Sequence, residues 1–194
     1  MKYTVVDTLN DVQAHVRVAG QDRLREIFRF PRDQKDVFDL MMQGKSMPEV
    51  EESCLEEARA LSHDLDMLQL AGPESHLLKP LEYEIMKIPG GTGWQVEVLK
   101  PWLLPLSVFR RYHTLTPAEE RILTGQLTEA LREAKKARPE LGRVTDRHIY
   151  LTGENQFVLD GFDKAGDRDD LSDLADLVCD PALREELQGK PLFG

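Results

Sequence analysis

Between Leu81 and Trp102 the chain alternates twice. Leu81, Tyr83 and Ile85 take turns with Glu82 and Glu84, and Trp94, Val96 and Val98 take turns with Gln95 and Glu97. A period of two sends every second side chain to the same face, so each run reads as a strand. The Pro-Gly-Gly-Thr-Gly loop between them supplies the turn, and the two runs make a β-hairpin. That hairpin commits the chain to an antiparallel sheet.

Three further extended segments precede it. They are 3–9, 14–19 and 23–30, with Asn10-Asp11 and Ala19-Gly20-Gln21-Asp22 as the turns between them. A helical stretch then opens at Pro31, with Val37, Phe38 and Met41 on one face. A better defined helix spans 49–70, where Cys54, Ala58, Leu61, Leu65 and Leu68 recur at steps of four and three. Gly72 and Pro73 end it.

The strongest helix signal follows the hairpin. Thr116 is a good N-cap, Pro117 suits the first helical position, and Glu119 completes a capping box. Leu123, Leu127, Leu131 and Ala134 continue its apolar face. Lys135, Lys136 and Arg138 fall in the last turns, where they complement the helix dipole. A second hairpin is expected over 148–160, where Ile149 and Leu151 alternate with His148 and Tyr150, and Phe157 and Leu159 with Val158 and Asp160, around a Gly-Glu-Asn-Gln turn. The tail carries Leu171, Leu174, Leu177 and Val178 on one helical face. Strands gather in the first half and helices in the second, which is an α+β order without βαβ alternation.

The chain has 194 residues, 41 % hydrophobic and 31 % charged, enough for one large domain or two small ones. Its net charge is −10, from 35 acidic and 25 basic residues. Sequence-independent nucleic-acid binding is not expected, because neutralising phosphates needs a Lys/Arg surplus on a face. The N-terminal segment lacks the apolar core of a signal peptide, and no apolar run reaches the length of a membrane span. Cys54 and Cys179 form no Cys-x-x-Cys pair, and both are expected as small hydrophobes on helices. A cytoplasmic, reduced setting with no membrane partner is the expectation.

Other motifs carry no chemistry. Gln43-Gly44-Lys45-Ser46 ends like a P-loop, but Asp39 stands where the first glycine belongs and a helix precedes it. The five histidines, His15, His63, His76, His113 and His148, have no paired metal-ligand spacing. No Gly-x-Ser-x-Gly elbow occurs. Phe109-Arg110-Arg111-Tyr112-His113 mixes aromatic and basic residues, but one such patch on an acidic chain more often packs on its own surface than on RNA.

The order of elements resembles the protein kinase superfamily in a shortened, degenerate form. The helix around 57–68 resembles the single helix of the small lobe, and the 76–102 hairpin the two strands that lead to the hinge. The helix from Thr116 resembles the one that supports the catalytic loop. Residues 142–162 resemble that loop and the two short strands before the metal-binding Asp-Phe-Gly. The tail resembles the buried helix of the large lobe. The resemblance implies a bilobal fold, with residues 1–100 as a small β-rich lobe carrying one or two helices and 101–194 as a helical lobe.

The resemblance also implies site residues. Phosphoryl transfer needs a phosphate cradle, a Lys on the phosphates, carboxylates on Mg²⁺ and a base near the acceptor hydroxyl. The cradle falls on Leu9–Val16, which contains no glycine. The strand cation falls on Arg29 or Arg25, and its helix partner on Glu57 or Asp66; Arg does not reproduce a Lys point charge. Asp146 takes the place of the catalytic Asp, and His148 that of the metal-binding Asn. The metal-binding Asp falls at Gly161 or, shifted by one, at Asp160, with Asp163 close behind. Only about seven residues separate Asp163 from the next helix, so the activation segment is largely missing. Carboxylates flanking a hairpin are ordinarily solvated turn residues. The expectation is therefore a pseudokinase-like binding or regulatory module for a protein partner, without a cofactor. The alternative is a minimal kinase of proteins or small molecules using ATP and Mg²⁺.

Overall fold

The computed structural model of the chain describes residues 1–137, 144–154, 156–160 and 171–193. The fold is mixed α+β, and the described residues form one five-stranded and one three-stranded sheet. The chain divides into two compact units, Met1–Gln69 with Lys79–Trp102, and Leu70–Leu78 with Leu103–Gly194.

The first unit contains β1 (Thr4–Thr8), β2 (Gln13–Val18), β3 (Gln21–Phe30), α1 (Gln34–Met42), α2 (Met47–Leu70), β4 (Glu82–Lys87) and β5 (Trp94–Pro101). Its sheet runs β1-β2-β3-β5-β4, antiparallel throughout. Helix α1 begins at Gln34 and not at Pro31, because the Asp33 carboxylate accepts the Asp36 amide at 3.0 Å and caps it. A capping box heads α2: Glu49 accepts both the Ser46 amide (2.7 Å) and the Ser46 hydroxyl (2.6 Å). The expected apolar stripe of α2, Cys54, Ala58, Leu61, Leu65 and Leu68, is buried, joined by Val50 and Ser62.

Directly opposed residues of paired strands share a face. The register aligns Glu26, Val98 and Tyr83 in one row, and Phe30, Trp94 and Lys87 in another. Tyr83 donates its hydroxyl to Asp66, and Lys87 donates to Glu51 at 3.0 Å. Both acceptors belong to α2, so these rows mark the face on which α2 lies. Strand β5 is buried on both faces from Gln95 to Lys100.

The second unit contains a 3-10 turn (Pro73–Ser75), β6 (Leu104–Pro105), α3 (Leu106–Phe109), α4 (Pro117–Ala137), β7 (Ile149–Leu151), β8 (Phe157–Leu159), α5 (Ser172–Ala175) and α6 (Pro181–Leu187). Its sheet runs β6-β7-β8. Residues 76–78, expected to lead directly into the first hairpin, belong here. Leu78 donates its amide to the Leu159 carbonyl (2.7 Å) and Leu159 returns one to His76 (2.8 Å). This backbone exchange overrides the alternation, which begins only at Leu81.

Helix α4 starts as its cap predicts, with Glu119 accepting the Thr116 amide and hydroxyl, both at 2.8 Å. Leu123, Leu127, Leu131 and Ala134 are buried. Arg138, expected in its last turn, lies outside the described residues. Leu171, Leu174, Leu177 and Val178 are buried too, but not along one helix: Leu174 lies on α5, Leu171 caps its start, and Leu177 and Val178 fall between α5 and α6. Pro181 disfavours helical backbone at Asp180, whose side chain instead caps α6 through the Ala182 amide (2.9 Å). Cys179 falls between those helices and is exposed, contrary to expectation, whereas Cys54 is buried. Among the described residues no helix is long and apolar enough to cross a membrane.

Candidate functional site

The expected site residues fall into two groups, one in each unit. In the first unit the strand register separates the expected cation from its partner. Arg25 and Arg29 share parity with Ile27, and they oppose Leu99 and Gln95. That face is the one away from α2. Arg25 donates to the Tyr3 hydroxyl at 2.9 Å, and its guanidinium lies 5.5 Å from the centre of that ring. Arg29 is exposed. The pairing of Arg29 or Arg25 with Glu57 or Asp66 is therefore not formed, because strand periodicity carries both arginines through to the other side of the sheet. Glu57 is exposed on α2, and Asp66 is engaged by Tyr83. That hydrogen bond to the carboxylate, with some burial, raises the phenol above its ordinary pKa.

A different ion pair occupies the α2 face. Lys100 of β5 is fully buried, and its Nζ lies 2.5 Å from Glu26 Oε2 of β3. The ammonium also sits 5.9 Å from the centre of the Phe28 ring. Gln13 of β2 donates to the other Glu26 oxygen at 3.0 Å. One register step away, His15 stacks on Trp102 with ring centres 4.1 Å apart and contacts Asp22 at 3.0 Å. Hydrogen bonds from His15 and then Arg17 hold the Asp22 carboxyl below its ordinary pKa. Sequence reading missed Lys100 and Glu26. The signal was present: Lys100 has the parity of Val96 and Val98, and an inward Lys in a strand requires an inward carboxylate.

The turn between β1 and β2 is closed by its own side chain. Asn10 Oδ1 accepts the amides of Val12 and Gln13, both at 2.9 Å. The Leu9 and Asn10 amides both donate to the Gln13 carbonyl, at 3.0 and 3.1 Å.

In the second unit, the open end of the β7–β8 hairpin gathers three of the singled-out residues. Asp146 sits in a turn whose ends are tied by the His148 amide and the Thr145 carbonyl (3.0 Å), with Thr145 also donating its amide to His148 Nδ1 (3.3 Å). The Asp146 carbonyl accepts the Ser107 amide at 3.2 Å. Asp160 follows β8 and donates its amide to the His148 carbonyl at 2.8 Å. Ile149 opposes Leu159, so the hairpin register brings 148 and 160 together. Asp163, Gly161 and the short connection to the tail helix lie outside the described residues.

Two buried carboxylates, neither singled out in the sequence, support this region. Asp173 of α5 accepts the Val144 amide at 2.9 Å, just ahead of the Asp146 turn. Glu120 of α4 accepts the amides of Cys179 (2.7 Å) and Asp180 (2.9 Å), which fixes the start of α6. Among the described residues no group of three His, Cys, Asp or Glu side chains could hold a metal ion. No protein-family model matches the chain, and no curated protein matches it.

Proposed function

We propose that the chain is a protein-kinase-like module that does not grip a triphosphate and acts by binding a protein partner. The reading rests on the resemblance in element order. It is supported by a five-stranded antiparallel sheet carrying α2, followed by a long helix, a short hairpin and a helical tail. The observation that carries the loss of nucleotide handling is the β1–β2 turn. Phosphates are held by backbone amides that point outward from a glycine-rich turn. Here Asn10 Oδ1 takes the Val12 and Gln13 amides for itself, and the Gln13 carbonyl takes two more. The amides of Leu9, Asn10, Val12 and Gln13 are thus engaged before any anion arrives.

The cation side agrees with this. The lysine on the α2 face is already neutralised by Glu26, and the β3 arginines lie on the other face. Titrating Mg-ATP into the protein in a calorimeter is expected to release no heat of binding. Saturable binding at micromolar concentration overturns the reading.

A minimal kinase is the second reading, favoured by the gathering of Asp146 and Asp160 at one hairpin end. Asp146 would act as base and Asp160 or Asp163 would hold Mg²⁺. Radiolabelled phosphate transfer that disappears in Asp146→Asn would support it. Transfer that persists in that variant removes Asp146 from the role.

A further inference from the structure

His148 stands at the open end of the β7–β8 hairpin. Its carbonyl accepts the Asp160 amide at 2.8 Å, and its own amide reaches back across the Asp146 turn to the Thr145 carbonyl at 3.0 Å. Imidazole is the commonest metal ligand among side chains. Beside two aspartates it invites a cation, and the minimal-kinase reading puts Mg²⁺ here. Whether His148 can serve as a ligand depends on which ring nitrogen carries the proton.

Thr145 decides that. Its amide donates to His148 Nδ1 at 3.3 Å, and its hydroxyl lies 3.3 Å from the same nitrogen. A backbone N–H can only donate, so Nδ1 is the acceptor and carries no proton. A neutral imidazole then keeps its one proton on Nε2. The bond from the His148 amide to the Thr145 carbonyl holds the two residues in this arrangement, and the tie to Asp160 fixes the other side of the His148 backbone.

We infer that Thr145 holds His148 as its Nε2–H tautomer, so that this imidazole serves an oxygen acceptor as a hydrogen-bond donor and does not ligate a divalent cation. A metal-ligating histidine donates its other ring N–H to a carboxylate or carbonyl, which makes the coordinating nitrogen more basic. Here the other nitrogen meets a donor, and the polarity is reversed. Coordination through Nε2 would move the ring proton to Nδ1, where it meets the Thr145 amide N–H to N–H. Coordination through Nδ1 would displace that amide from its acceptor. Either route breaks the bond that orients the ring. This deepens the binding-module reading and rests on it for its bearing on function: the hairpin end loses an imidazole ligand for Mg²⁺ and gains a donor suited to a carboxylate or carbonyl oxygen.

The test is long-range proton–nitrogen NMR correlation of the histidine rings in the full ¹⁵N-labelled chain. The buffer is held above about pH 8, where an imidazole is ordinarily uncharged. His148→Gln identifies the His148 signals by their loss. The expected spectrum has the His148 proton on Nε2 and the free lone pair on Nδ1. Zinc chloride is the metal probe, because Zn²⁺ suits imidazole nitrogen. Excess Zn²⁺ is expected to leave the His148 assignment in place. Thr145→Pro removes the amide donor, and it is expected to let Nδ1 take a share of the proton. A wild-type proton on Nδ1, or Zn²⁺ that takes either His148 nitrogen, overturns the inference. So does a Thr145→Pro variant of unchanged melting temperature whose ring proton stays wholly on Nε2, because the amide then does not fix the tautomer. If the proline variant does not fold, the wild-type spectrum and its zinc titration decide alone. An Nδ1 proton with no Mg-ATP heat removes this inference and leaves the binding module. Mg-ATP heat with the proton on Nε2 removes the binding module and leaves the tautomer.

Discussion

Lys100 and Glu26 lie 74 positions apart in sequence, and their side chains meet 2.5 Å apart inside the five-stranded sheet. The pair joins β5 to β3 on the face that carries α2. Lys100 is fully buried and Glu26 is 15 % exposed. Removing one member strands the other charge in a poorly solvated place, which typically costs about 3–5 kcal/mol. Lys100→Met alone and Glu26→Gln alone are each expected to destabilise the chain toward that range in urea unfolding. Glu26→Leu with Lys100→Met is expected to cost less than the two single losses added. A Lys100→Met variant within roughly 0.5 kcal/mol of wild type would place the ammonium in contact with water.

Gly93 is the second strict requirement of this sheet. Its φ is +99°, and a Cβ there would lie 2.2 Å from the Phe30 carbonyl oxygen. Strained backbone of this type costs about 1–3 kcal/mol, and the clash adds to it. Gly93→Ala is expected to lower stability by at least that much. Gly125, inside α4, is the contrast, because nothing lies within 4 Å of a Cβ added there. Gly125→Ala is expected to raise stability by roughly 0.5–1 kcal/mol, the helical difference between the two residues. Thermal unfolding of the two variants should move in opposite directions.

Acid stability should follow the two capping boxes. Hydrogen bonds from Thr116, with a further contribution from His113, hold Glu119 below its ordinary value of 4.5. Hydrogen bonds from Ser46 do the same for Glu49. Both groups have lower pKa values folded than unfolded, so the unfolded chain takes up protons first as the solution is acidified. Their contribution is complete above about pH 4.5 and is lost as pH falls through the depressed folded values. Glu119→Gln and Glu49→Gln should each flatten the acid limb of a stability–pH curve below that point. Above pH 6 the variants should run parallel to wild type. An acid limb of unchanged slope in both variants would show that other carboxylates govern acid unfolding.

Much of the fold was legible without coordinates. Tyr83 and Ile85, Trp94 and Val96, Ile149 and Phe157 carry their strand assignment in local alternation, and Thr116 and Glu119 carry the start of α4 in their spacing. These signals survive because both partners of each contact lie within one element or one turn. Residues 76–78 were misassigned for the converse reason. Leu78 donates its amide to the Leu159 carbonyl and the His76 carbonyl accepts the Leu159 amide, more than 80 positions away, and no local pattern encodes that.

For the candidate residues, the sequence offers residue types and the strand register decides their placement. The acidic residues Asp146 and Asp160 stand out in the sequence, and the hairpin register does bring their backbones to one end. Arg29 keeps the charge of a lysine without its point-like head, and strand parity sends it away from α2. Lys100 was not singled out in the sequence, and it is fully buried.

The amino-acid sequence by itself determined the elements: their periods, their caps and the α+β order, since each depends on residues within a few positions of one another. Tertiary structure alone decided which faces meet. Side-chain parity becomes a location only once strands are paired. That pairing turned Lys100 and Glu26 into a buried couple and carried Arg25 and Arg29 to the face away from α2.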